Sequence, residues 1–111
     1  MTEYEVTEIN ESTLLYEIIK VIGKHAAVFR CNAGQYFTRS GQRVSGLPKG
    51  FADVMAVLPG GRVAFIEVKT ESGKTTLEQD KFLERMRGLG ALAGVATSTN
   101  EALAICGIER R

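Results

Sequence analysis

The segment Phe65-Ile66-Glu67-Val68-Lys69 sets two charged residues into an otherwise apolar run. Side chains alternate along a strand, so Glu67 and Lys69 share one face. Charges on a central strand are costly unless paired or bound to something. Upstream, Asp53-Val54-Met55-Ala56-Val57-Leu58 is a second apolar run, opened by an acid. Pro59-Gly60-Gly61 between them is a turn signal, so the two runs should form a hairpin. Counted out from Gly60, Asp53 lies seven residues back and Glu67 seven forward, which brings both acids to one end of the sheet. Opposed or diagonal positions on paired strands lie about 5–8 Å apart, close enough to share one divalent ion. Two carboxylates opposed only by Lys69 repel each other, and a hard cation such as Mg²⁺ relieves this while keeping several waters. Such an ion can orient and polarise a phosphate and help deprotonate an attacking water. Lys69 beside it can steady the water or the developing charge. Alone, a Glu-x-Lys pair reads as a surface ion pair at a strand end; the acid at matching depth on the neighbouring strand argues for more.

Other groups are candidates for the same place. Leu14, Leu15, Ile18, Ile19 and Ile22 mark one face of a helix over Ser12–Ile22, with Gly23 as its stop. Glu11 falls close to the centre of that stripe, Glu8 toward its edge and Glu17 well off it. Glu11 can therefore face the sheet, or sit at the helix start, where an acid suits the dipole. Gln79 heads the series Gln79, Phe82, Leu83, Met86, Leu89 on a second helix, which places it on the packed face. Thr76-x-x-Gln79 also matches a capping box. Gly50, three residues before Asp53, would let a substrate backbone approach closely. Lys49 and Lys74 flank the site on loops and can hold phosphates or simply be solvated. Arg30 and Asn32 lead into a basic stretch in which Tyr36-Phe37 can stack on bases or anchor the loop.

The elements that must position these groups follow from breaks at glycine and proline. Short strands are expected at Ala26–Cys31, Ala52–Leu58, Arg62–Thr70 and Ala91–Thr97, and helices at Ser12–Ile22, Thr76–Leu89 and Asn100–Cys106. The order is α-β-β-β-α-β-α. The crossover from Arg62 to Thr97 makes its two strands parallel with a right-handed connection. Asn32–Gly50, with Gly34, Gly41, Gly46, Gly50 and Pro48, reads as one long loop, and loops of that length are usually functional or mobile. The expected fold is α/β, a mixed β-sheet flanked by helices.

The chain has 111 residues, 44% hydrophobic and 24% charged, which fits one globular domain over 1–111 and argues against disorder. No apolar run approaches the roughly 20 residues of a membrane span. The acidic start lacks the pattern of a signal peptide, so a cytoplasmic protein is expected. Cys31 and Cys106 are too few for a disulfide framework, and with only His25 to join them they are poor zinc ligands. Net charge is +1, but it is unevenly spread. Met1–Glu17 carries five acids and no base, whereas Ile18–Ala52 carries six bases (Lys20, Lys24, Arg30, Arg39, Arg43, Lys49) and no acid. Such a stretch makes a local positive field on a neutral protein, or a solvated face with uneven charge.

Gly50-x-x-Asp53, Gly60-Gly61-Arg62, Ile66-Glu67-Val68-Lys69 and Gln79, in that order, resemble the virus-type replication-repair nuclease (VRR-NUC) family of the PD-(D/E)xK superfamily. The resemblance extends to Phe29-Arg30-Cys31-Asn32-Ala33-Gly34 upstream, to Gly88-Leu89-Gly90-Ala91 and Val95-Ala96-Thr97-Ser98 downstream, and covers roughly Glu11 to Ile105. It implies a restriction-endonuclease-like core and a metal-dependent DNA endonuclease. Asp53, Glu67 and the Val68 carbonyl would bind Mg²⁺ or Mn²⁺, with Glu11 matching the first-helix glutamate. Lys69 would orient or activate water, and Gln79 would stand near the site. Arg30, Asn32, Lys49 and Lys74 would contact DNA. Stand-alone members of this size resemble phage-type enzymes that dimerise and act on branched, Holliday-junction-like DNA, which would let a small chain cut two strands symmetrically. The alternative is a non-catalytic DNA-binding or accessory module that keeps the nuclease fold.

Overall fold

A computed structural model describes residues 10–109. The first helix, α1 (Glu11–Ile22), is capped by Asn10, whose side chain accepts the Thr13 N–H at 2.8 Å. Strand β1 (Ala27–Arg30) follows, then a pair of short strands, β2 (Gln35–Phe37) and β3 (Arg43–Ser45). Next come β4 (Val54–Val57), β5 (Val63–Val68), α2 (Leu77–Gly88), β6 (Leu92–Ala96) and α3 (Thr99–Ile105). The main sheet runs β1-β4-β5-β6, antiparallel except for the parallel β5–β6 pair joined through α2. Seven of these elements reproduce the expected order. The exception is Asn32–Gly50, which holds the two-stranded β2–β3 sheet rather than a bare loop. Three-residue strands broken by glycines carry too few alternations to show a period of two.

Alternation on the strands separates two cores. Val54, Ala56, Ala64, Ile66 and Val68 face α1 and α3, packing against Leu14, Leu15, Ile18, Ile22, Ala102 and Leu103. On the opposite face, Phe65 and Ala52 pack with Leu83 of α2, flanked by Phe51, Met55, Phe82 and Met86. Leu89 does not continue the apolar stripe of α2; it is the C-cap and is exposed. The β4–β5 turn needs two left-handed residues in a row, and Gly60 and Gly61 supply them at φ of 87° and 82°. No helix among the described residues is long and apolar enough to cross a membrane.

Candidate active site

The turn fixes the register, and the register fixes the acids. Val54 pairs with Ile66, so the next position outward sets Asp53 opposite Glu67. Asp53 has left the ladder but is still tied to it. Its Oδ2 accepts the Val68 N–H at 2.8 Å, and its carbonyl accepts the Cys31 N–H at 2.7 Å. On an extended strand, a residue's N–H and C=O face the same neighbour. The Val68 carbonyl is therefore directed to the side that Asp53 occupies, while the next amide, Lys69, turns the other way to the Ala96 carbonyl at 3.1 Å.

Glu67 is the only charged residue among the buried ones described, at 1% exposure. One of its oxygens, Oε2, lies 3.5 Å from the Lys69 ammonium, and the other, Oε1, is buried with no hydrogen-bond partner. Burial pushes the Glu67 carboxyl up to about 8, the negative charge of Asp53 adds to the rise, and Lys69 only partly offsets it. A buried carboxylate with an orphaned oxygen beside a second carboxylate is an environment short of positive charge. The donor set, two carboxylates and a carbonyl, is hard oxygen, which suits Mg²⁺ or Mn²⁺. The residues present therefore fit a divalent cation.

Other expected members divide. Arg30, Asn32 and Gln79 line, with Asp53, Cys31, Ala33, Gly50 and Phe51, an open cleft of about 470 Å³. Gln79 fills both roles open to it. Its Oε1 accepts the Thr76 N–H at 2.9 Å and its own N–H bonds Thr76 Oγ1 at 3.2 Å, closing the capping box, while the residue still borders the cleft. Cys31 keeps its proton, since burial, with a contribution from Asp53, pushes its thiol upward.

The structure does not bring Glu11 to the pair. It is exposed at the first position of α1, and α1 packs on the sheet face opposite to Glu67. Among the described residues no group of three or more His, Cys, Asp or Glu is placed to hold a metal. Glu17 is likewise exposed, and Glu8 lies outside the described residues. Lys74 is exposed on the β5–α2 connection and Lys49 lies 4.0 Å from Glu78; neither lines the cleft.

Two positioning features carry no motif of their own. Phe51, Phe65 and Phe82 form a ring cluster, with centroids 4.5 Å apart for Phe51–Phe82, 5.3 Å for Phe65–Phe82 and 5.8 Å for Phe51–Phe65. The rings sit two residues before Asp53, two before Glu67 and three after Gln79, so one apolar contact joins the three segments that carry the site. Gly50, expected to admit a substrate backbone, lines the cleft and is also packed against α2. A Cβ there would lie 2.6 Å from the Glu78 carbonyl oxygen, and its φ is +92°. Gly50→Ala should cost about 2–4 kcal/mol from left-handed strain plus overlap, read by urea denaturation, and should impair Asp53 positioning as well. A loss below about 0.5 kcal/mol would refute this packing role.

A search of curated proteins finds no match. Among solved structures, one described as a VRR_NUC domain matches with a TM-score of 0.62 at 22% identity, covering 87% of this chain and 94% of that one. At that identity the likeness speaks to fold. The VRR-NUC domain family model matches residues 5–100. That span contains the carboxylate pair, Lys69, Gln79 and the whole main sheet, so this chain, with its nuclease-type fold, belongs to the VRR-NUC domain family.

Proposed function

We propose that this protein is a metal-dependent DNA endonuclease whose centre is Asp53, Glu67 and Lys69. The observation that carries the reading is the buried Glu67, orphaned at Oε1 and facing a second carboxylate with one ammonium 3.5 Å away. A purely structural ion pair has no need of a second carboxylate beside it, and here the Val68 N–H fastens one there.

Asp53, Glu67 and the Val68 carbonyl would hold Mg²⁺ or Mn²⁺. When bound, the ion lowers the pKa of a coordinated water and neutralises phosphate charge. The Lys69 ammonium donates hydrogen bonds to the attacking water and to the charge that grows on the phosphate. Water oxygen forms a bond to phosphorus as its proton passes to solvent, the phosphorus–O3′ bond breaks, and the leaving O3′ takes a proton from solvent, which gives a 3′-hydroxyl and a 5′-phosphate. Arg30, Asn32 and Gln79 on the cleft wall orient the phosphodiester, with Lys49 and Lys74 outside it. Structure-selective cutting of branched DNA by a homodimer fits a small chain with one Asp53–Glu67 pair per copy.

The test is incubation of the purified chain with junction, flap, single-stranded and duplex DNA, with Mg²⁺, with Mn²⁺ and with EDTA. Cleavage is expected only with metal and fastest on a branched substrate. Cleavage undiminished by EDTA would defeat the metal mechanism; equal rates on all four DNAs would defeat the selectivity.

A further inference from the structure

The β2–β3 hairpin stands apart from the main sheet and has no evident part in building the core. It pairs only with itself, Gln35 with Ser45, Tyr36 with Val44 and Phe37 with Arg43. Its base is stitched across the chain by Leu47 N–H to Asn32 carbonyl (2.8 Å), Gly34 N–H to Leu47 carbonyl (2.8 Å) and Gly46 N–H to Gly34 carbonyl (2.7 Å). Its tip is closed by Thr38 N–H to the Gln42 carbonyl (2.8 Å) and Gln42 N–H to Thr38 Oγ1 (3.0 Å). The hairpin is therefore a built projection rather than a slack loop.

It also rises from the rim of the cleft. Asn32 and Ala33 at one root and Gly50 just beyond the other line the space that Asp53 faces. At about 3.3 Å per residue, Phe37 stands roughly 13 Å out from Ala33. Phe37 is 68% exposed, a large apolar ring with no burial to explain it. Directly opposed residues on antiparallel strands share a face at about 5 Å, so Arg43 stands beside that ring. Arg39 at the tip is also exposed, and neither arginine has a carboxylate partner among the described residues. The whole segment Ile18–Ala52 contains no acid.

A stacking surface and an exposed guanidinium side by side, on an acid-free arm rooted at a phosphodiester cleft, match the chemistry of a single strand. Bases in a duplex hide their faces, whereas unpaired bases offer them to an aromatic ring, and the adjacent phosphate suits arginine. We propose that the β2–β3 hairpin grips unpaired DNA bases next to the cleavage site, Phe37 stacking on a base and Arg43 holding the neighbouring phosphate. This rests on the nuclease reading for the nature of its ligand, and it would supply the preference for branched over fully paired DNA.

The experiment measures binding in EDTA, where cleavage does not intervene. Fluorescein-labelled single strand, blunt duplex and the same duplex with a single-stranded flap are titrated with the full chain at 50 and 200 mM salt. Phe37→Ala should weaken single-strand and flap binding about tenfold and duplex binding less than twofold. Phe37→Tyr should restore both, because the ring is kept. Arg43→Ala should weaken all three and reduce the salt slope by about one. A 2-aminopurine in the flap should be quenched by wild type and not by Phe37→Ala. Equal weakening of duplex and single strand by Phe37→Ala, no weakening at all, or no DNA binding by wild type at 50 mM salt would each overturn the proposal. Normal cleavage with unchanged binding in the variants leaves the nuclease reading standing without the hairpin. The expected binding pattern with no cleavage under any metal leaves the hairpin standing without the nuclease.

Discussion

Asp53→Asn should lower single-turnover DNA cleavage by about 10³-fold or more, and the variant should be at least as stable as wild type. The two effects have separate origins at one residue. An asparagine oxygen still accepts the Val68 N–H that Oδ2 now takes at 2.8 Å, so the strand end stays fastened. What disappears is the negative charge beside buried Glu67, which is the second cause of its raised pKa after burial itself. The repulsion is relieved, and with it the reason for a cation to bind. Lys69→Met should lose cleavage as deeply but with the opposite stability change, a loss of about 1–3 kcal/mol at pH 8, because Glu67 is left without its ammonium. Equal catalytic losses with stability changes of opposite sign would show that activity depends on the charges rather than on the fold. Cleavage by Asp53→Asn within tenfold of wild type would remove Asp53 from the centre. Circular dichroism at pH 8 supplies the melting data, since the chain has no tryptophan to follow.

The carboxylate pair was legible because its placement depends on one local decision. Gly60-Gly61 sets the turn, the turn sets the register, and Asp53 opposite Glu67 follows by counting. The main sheet was legible for a related reason: β4 and β5 are unbroken apolar runs bounded by glycine and proline. Where placement depends on tertiary packing, the sequence is quieter. Glu11 lies on the helical stripe by angle, yet it occupies the first turn, where the helix end is open to water. Gln79 closes the capping box and also borders the cleft, a combination that spacing cannot reveal. The ring cluster joins residues 14 and 17 positions apart through packing alone: Phe51 to Phe65, and Phe65 to Phe82. The β2–β3 hairpin is held by backbone hydrogen bonds at a glycine-rich root, which leave no periodicity in the side chains.

Raising the pH should weaken the metal-free protein, and Mg²⁺ should reverse the loss. Glu67 has an ordinary value of 4.5 and in the fold is held up to about 8. As pH rises through 4.5 the unfolded chain gives up this proton while the folded chain keeps it, so the folded state binds the extra proton throughout that window. Stability therefore falls between about pH 4.5 and 8, and the penalty is complete above 8. At about 1.4 kcal/mol per unit the total is a few kcal/mol, enough to move the melting temperature of a chain this size by several degrees or more. Glu67→Gln keeps the shape and removes the titration. Its melting temperature in EDTA should be nearly flat from pH 5 to 9 by comparison, and should exceed that of wild type at pH 8, while cleavage is lost. On the proposed reading a divalent cation would bind the ionised pair, so the increment from Mg²⁺ should grow with pH in wild type and vanish in Glu67→Gln. The measurement is melting at pH 5, 6, 7, 8 and 9 with EDTA and with 10-fold steps of Mg²⁺. A wild-type curve parallel to that of Glu67→Gln would mean that the acid is not held protonated. A Mg²⁺ increment that survives the substitution would place the cation elsewhere. The same uncompensated charge that weakens the metal-free fold above neutrality would then be what draws a cation to the site.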